Sequence, residues 1–75
     1  MYYVYLIRNK LTHKTYIGYT EDLKRRLEEH KSKNPDLIYY EAYKNKYDAM
    51  RRERMLKQHG QGIRWLKSRL RDSLN

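Results

Sequence analysis

Tyr2-Tyr3-Val4-Tyr5-Leu6-Ile7 is apolar or aromatic at every position, the pattern of a strand covered on both faces. Arg8 to Lys14 is polar turn chemistry, and Thr15-Tyr16-Ile17-Gly18-Tyr19 resumes the extended pattern, which predicts a hairpin. Thr20 is the expected N-cap of a first helix, with Glu21 and Asp22 in the first turn, where the helix dipole favours negative charge. That helix is expected to run to about Lys31. Lys33-Asn34-Pro35-Asp36 breaks it, and Leu37 to Tyr43 reads as a third strand. After a turn at Lys44-Asn45-Lys46, a second helix starts at Tyr47 or Asp48 and ends at His59-Gly60. Gly60-Gln61-Gly62 is a stop and restart signal. A last helix carries Ile63, Leu66, Leu70 and Leu74 on one stripe. The order β-β-α-β-α-α predicts an α/β (α+β) fold: a small three-stranded, mostly antiparallel sheet flanked by three helices. No repeat, low-complexity stretch or linker interrupts residues 1–75, so one domain is expected.

Length limits the core. A domain of 75 residues buries only about 60% of the surface its unfolded chain exposes. Hydrophobic residues make up 39% and charged residues 36% of the chain, which is polar but too rich in tyrosine, leucine and isoleucine for disorder. The absence of cysteine excludes a disulfide framework, a thiol nucleophile and a cysteine zinc finger. No apolar run approaches the roughly 20 residues that span a membrane, and Met1 leads into the first strand without a charged n-region. A cytoplasmic protein with no membrane partner is expected.

Charge changes the picture most. The net charge is +9, from 18 Lys and Arg against 9 Asp and Glu. Nucleic acid is the usual polyanion for such a surface, because cationic contacts to phosphate release condensed counterions.

Two polar residues stand on faces that should be apolar. Leu23 and Leu27 define the inner side of the first helix, and Arg26 and His30 fall within roughly 60° of that stripe, whereas Arg25 points about the opposite way. A guanidinium held against the protein body is either paired internally or aimed into a cleft that receives an anion. In the second helix Ala49 and Leu56 set the stripe and Glu53 lies between them, the carboxylate expected to point inward. It is either bound to a metal or ion-paired with Lys57 at i+4. Glu41, alternating with Tyr39 and Tyr43 on the third strand, is the weaker rival. Strand alternation also puts Tyr5 and Tyr16 on neighbouring hairpin strands, with Gly18 expected to leave open space beside their hydroxyls.

Tyr3-Val4-Tyr5, then Tyr16-Ile17-Gly18, then an arginine inside Asp22 to His30 and a lone glutamate inside Ala49 to Lys57, resemble the GIY-YIG nuclease superfamily, and most of all its short stand-alone members. The likeness covers nearly the whole chain. It carries over residue by residue: Tyr5 ends the first motif, Tyr16 opens the second and Gly18 closes it. Arg26 is the helix arginine, His30 the histidine four positions later, and Glu53 the metal-binding glutamate. Tyr3 departs from the pattern, standing where the motif's name has glycine.

The resemblance implies a divalent-metal-dependent endonuclease that hydrolyses DNA phosphodiester bonds in repair or processing. It would use one Mg²⁺ or Mn²⁺ on Glu53, because the dispersed histidines and carboxylates do not support a two-metal clamp. Arg26 would neutralise the transition state, and Tyr5 and Tyr16 would position and deprotonate the attacking water. Tyr19 and Lys57 take a secondary place, and His30 a phosphate or proton contact. An ordinary phenol, with a pKa near 10, is only about 0.1% ionised at pH 7, so a tyrosine base needs cations beside it. Nothing after Asn75 supplies a DNA-reading module, so selectivity for nicked, branched or otherwise structured DNA, a loose sequence preference, or recruitment by a protein partner, is expected. The alternative from another class is a non-catalytic nucleic-acid-binding protein that keeps the nuclease scaffold.

Overall fold

The computed structural model describes residues 1–74, with the side chains of all of these but His59 and Gln61. The wholly apolar first segment becomes β1 (Tyr2–Asn9), the middle strand of a sheet in which β2 (Thr15–Thr20) and β3 (Pro35–Tyr43) lie on either side, both antiparallel to it. Val4, Tyr5, Leu6 and Ile7 are buried in succession, as a strand covered on both faces requires. Val4 and Leu6 face one side, where with Ile17 they pack on Ala49 and Leu56 of α2 (Lys46–Lys57) and Leu66 of α3 (Gln61–Arg69). Fully burying a side chain of this size is worth about 1.5–3 kcal/mol. So small a core leaves little stability in reserve.

Tyr5 and Ile7 face the other side, which α1 (Leu23–Glu29) reaches through Arg26. None of the α1 residues is buried. The helix is shorter than expected, and its cap is Asp22 rather than Thr20. The Asp22 Oδ1 accepts the Arg25 amide at 3.1 Å, while the Thr20 hydroxyl accepts the Asp22 amide at 3.1 Å. Thr20 thus makes the turn that delivers the capping residue. A 3₁₀ turn at Lys31–Lys33 follows.

Pro35 opens β3 instead of standing outside it. An edge strand tolerates proline at its first position, where no ladder donor is lost. Leu6 faces Tyr39 while Ile7 faces Leu37, so Ile38 is an extra residue in the register, a bulge. Asn45 caps α2, accepting the Tyr47 amide at 2.8 Å, so the helix begins at Lys46, one or two residues before the expected start. A second 3₁₀ turn (Gln58–Gly60) ends at Gly60 with φ of 71°, a left-handed conformation suited to glycine. The last helix is broken at Leu70, giving α3 and a short α4 (Arg71–Leu74). The Arg8 guanidinium donates to the Leu74 carbonyl, tying α4 to the end of the sheet. Helix α2 packs on all three strands and carries Glu53 along with it.

Candidate active site

The β1 and β2 register decides which side chains share a face. Tyr5 lies opposite Gly18, and Tyr16 lies opposite Ile7, so both tyrosines stand on the face that α1 approaches. A Cβ on Gly18 would sit 2.9 Å from Tyr5 Cε1 and nearer still to Cζ and the hydroxyl oxygen. The space that Gly18 was expected to leave open is therefore filled by the Tyr5 ring. Glycine is needed here for close approach of a side chain to backbone, not for an unusual φ.

Arg26 Nε donates to the Tyr5 hydroxyl oxygen at 3.1 Å, and its Nη1 donates to Glu29 Oε2 at 3.1 Å. These contacts, Tyr5 first and Glu29 after it, hold the guanidinium above its ordinary pKa against the effect of burial. Its Nη2 makes no hydrogen bond to a described residue. Because the Tyr5 oxygen accepts from Arg26, its own proton must point another way. Arg25 bonds Glu29 Oε1 at 3.2 Å, with 76% of its side chain exposed against 42% for Arg26. The two arginines therefore differ as their helix faces require. Glu29, which joins them, was not anticipated, although its i+3 and i+4 spacing was there to be read.

The most buried carboxylate is not Glu53. The Glu41 side chain is 14% exposed against 26% for Glu53, and Glu41 is fully engaged. Tyr39 donates to Oε2 at 2.6 Å, Tyr43 donates to Oε1, and the Arg52 Nε and Nη2 fork closes at 2.9 and 3.1 Å. Burial pushes the Glu41 carboxyl up, but hydrogen bonds from Arg52, Tyr39 and Tyr43 outweigh it and leave the pKa below the usual carboxylate value. Burial and the bond to Glu41 in turn push the Tyr43 phenol up to about 12. Glu41 is therefore a structural anion with its partners built in. Glu53 has one loose contact, with Lys57 Nζ at 3.5 Å, and that lysine is 54% exposed.

A cleft of about 220 Å³ gathers all eight residues singled out in the sequence: Tyr5, Tyr16, Gly18, Tyr19, Arg26, His30, Glu53 and Lys57. They come from β1, β2, α1 with its C-cap, and α2. Lys33 and Asn9 join them without having been foreseen. Three cations, Arg26, Lys33 and Lys57, face one carboxylate in this space, so the cleft favours an anion. His30 caps α1, its amide donating to the Arg26 carbonyl at 3.2 Å. Desolvation first, then the charges of Arg26 and Lys33, lower its pKa below the ordinary histidine value. At neutral pH the imidazole is uncharged, with one nitrogen able to accept a proton.

Among the described residues no three His, Cys, Asp or Glu side chains cluster as metal ligands. A hard cation that keeps most of its waters needs only one or two carboxylates. Glu53, partly exposed in an anion-attracting cleft and in contact among the described residues only with the half-exposed Lys57, is a donor of that kind.

A family model described as the GIY-YIG catalytic domain matches residues 1–65. No curated protein and no solved structure gave a match.

Proposed function

Because the chain belongs to the GIY-YIG nuclease family, we propose that it is a metal-dependent endonuclease that hydrolyses phosphodiester bonds of DNA in this cleft. The observation that carries the reading is the convergence of two tyrosines, an arginine, a histidine and a glutamate, from four elements, in one cationic cleft. Glu53 would hold a single Mg²⁺ or Mn²⁺, which when bound supplies charge neutralisation at the phosphate and the leaving oxygen.

The chain's own groups divide the remaining work. Arg26 is braced at Nε by Tyr5 and at Nη1 by Glu29, so its Nη2 is presented to a phosphate oxygen without a search through rotamers. Stabilising charge that develops in a transition state by a fixed donor of this kind is often worth a few kcal/mol. Held by the Arg26 Nε bond to its oxygen, the Tyr5 phenol orients an attacking water through its own O–H or a remaining lone pair. Tyr16, 49% exposed at the mouth, reaches the same space from the neighbouring strand. Neutral His30 beside Arg26 is placed to take a proton or to hold a phosphate oxygen. Lys33 and Lys57 add the field that draws the backbone in.

The contact of Glu53 with Lys57 favours one other reading, a non-catalytic DNA-binding module in which the carboxylate merely pairs. Purified protein incubated with nicked, flapped, branched, single-stranded and duplex DNA in Mg²⁺, Mn²⁺ or EDTA separates the two. Cleavage that needs the cation and disappears in EDTA and in Glu53→Gln is expected. Binding to every substrate with cleavage of none would establish the module.

A further inference from the structure

Trp65, the chain's sole tryptophan, is not part of the cleft. Its neighbour Leu66 anchors α3 in the core at 2% exposed, while Trp65 itself is 48% exposed. The indole is therefore not retained to fill the interior. Two guanidiniums lie over its ring, Arg52 at 5.4 Å and Arg69 at 5.0 Å from the centroid, both within range of a cation–π contact. Arg52 is locked by its fork onto Glu41, and Glu41 is locked in turn by Tyr39 and Tyr43. The chain thus builds a four-residue, half-buried network whose outer end is one edge of an exposed aromatic platform.

The charges around the platform are unequal. Arg52 is neutralised by Glu41, but Arg69 makes no salt bridge with a described residue, and α3 carries Arg64, Lys67 and Arg69 with no acidic residue. A half-exposed indole whose covering guanidinium at Arg69 has no acidic partner among the described residues matches a nucleotide with an unpaired base: the base stacks on the ring where that guanidinium now lies, and the guanidinium meets the phosphate. Duplex DNA does not offer this, since its base faces are covered by their neighbours. None of Trp65, Arg52, Arg69 and Glu41 lines the cleft, and Glu41 lies on β3, on the far side of β1 from β2, which supplies Tyr16, Gly18 and Tyr19 to it. The platform is therefore a separate contact across the sheet from the reacting residues.

We propose that Trp65, with Arg69 and the fixed Arg52, is a binding site for an unpaired base of single-stranded DNA. It would make a substrate containing a single-stranded segment the one this domain holds best. The inference rests on DNA as the partner proposed above, but not on cleavage.

The indole is its own reporter. In EDTA, a short oligo(dT) should quench the Trp65 fluorescence to saturation, whereas a blunt hairpin duplex with the same number of phosphates should quench it weakly, and polyglutamate should not quench it. By anisotropy of labelled oligo(dT), Trp65→Ala should bind roughly five- to hundred-fold more weakly, as expected for one lost stacked base. Its duplex affinity should stay within about two-fold. Trp65→Phe, which keeps an aromatic face and guards against a folding defect, should recover most of the affinity. The cleft variant Arg26→Ala should quench as the parent does, so loss of cleavage and loss of this site are read separately. Equal quenching by oligo(dT) and duplex, or equal loss of both affinities in Trp65→Ala, would mean that the patch senses charge alone and would overturn the proposal. So would wild-type oligo(dT) affinity in Trp65→Ala.

Discussion

Gly18→Ala is the smallest change that tests how the cleft is built. The added methyl carbon would lie 2.9 Å from Tyr5 Cε1 and overlap the phenol carbon and oxygen beyond it. Tyr5 is 4% exposed, so its ring has nowhere to go without moving neighbours. Overpacking of this kind costs roughly 1–3 kcal/mol. A domain of 75 residues holds about 4–11 kcal/mol in all, and each kcal/mol moves the Tm of so small a domain by about 4–8 °C. Gly18→Ala should therefore lower Tm by about 4–24 °C. It should also reduce cleavage, because a displaced phenol releases its hold on Arg26. The assay is thermal unfolding followed by circular dichroism, repeated in a Tyr5→Leu background that lacks the hydroxyl oxygen, Cζ and Cε1 lying nearest the new methyl. There the extra cost of Gly18→Ala should shrink to about 0.5 kcal/mol or less, a coupling that contacting residues show and distant ones do not. The same loss in both backgrounds would refute the account and place the strain in the strand ladder.

Arg26→Ala should reduce cleavage by two or more orders of magnitude with DNA affinity within a few-fold, whereas Arg25→Ala should mainly lower affinity and its salt dependence; equal kinetic effects would show the two faces to be equivalent. Glu53→Gln should abolish Mn²⁺ binding in a titration, yet move stability by only about 0.3–0.5 kcal/mol, the worth of an exposed i,i+4 pair; retained Mn²⁺-dependent cleavage would end its role as ligand. Glu29→Gln weakens the brace on both arginines, so it should raise affinity for DNA by removing a competing anion while lowering the turnover number, visible as a fall in KM together with a fall in kcat. Tyr43 has its pKa raised to about 12 in the folded protein, so the stability it contributes is complete below pH 10 and is lost as pH rises from there through 12. Urea midpoints of the parent and Tyr43→Phe should therefore converge over that window, and parallel lines would show that the phenol titrates normally.

Periodicity alone sets the strands, the hairpin and the inward side of each helix, because alternation and the 3.6-residue repeat are local properties of the backbone. That is why Arg26 could be told from Arg25, and why Tyr5 and Tyr16 could be placed on neighbouring strands, whose register then puts them on one face. The cap at Asp22 instead of Thr20 turned on a single hydroxyl that bonds two residues onward, a choice between two local geometries that composition does not resolve. Glu41 and Glu53 were separable only in three dimensions. Both occupy positions that local periodicity turns inward, and the difference lies in what reaches each: α2 brings Arg52 onto Glu41 of β3, while Glu53 meets only Lys57 of its own helix among the described residues. The role of Gly18 likewise depended on register, since a slip of one residue would have placed a different β1 side chain over it. Contacts between elements far apart in the chain follow from strand register and helix crossing, and neither is written in the spacing of residues within one element. The sheet and its helices could be read from the chain, but the partners of each buried charge came from the way those elements pack.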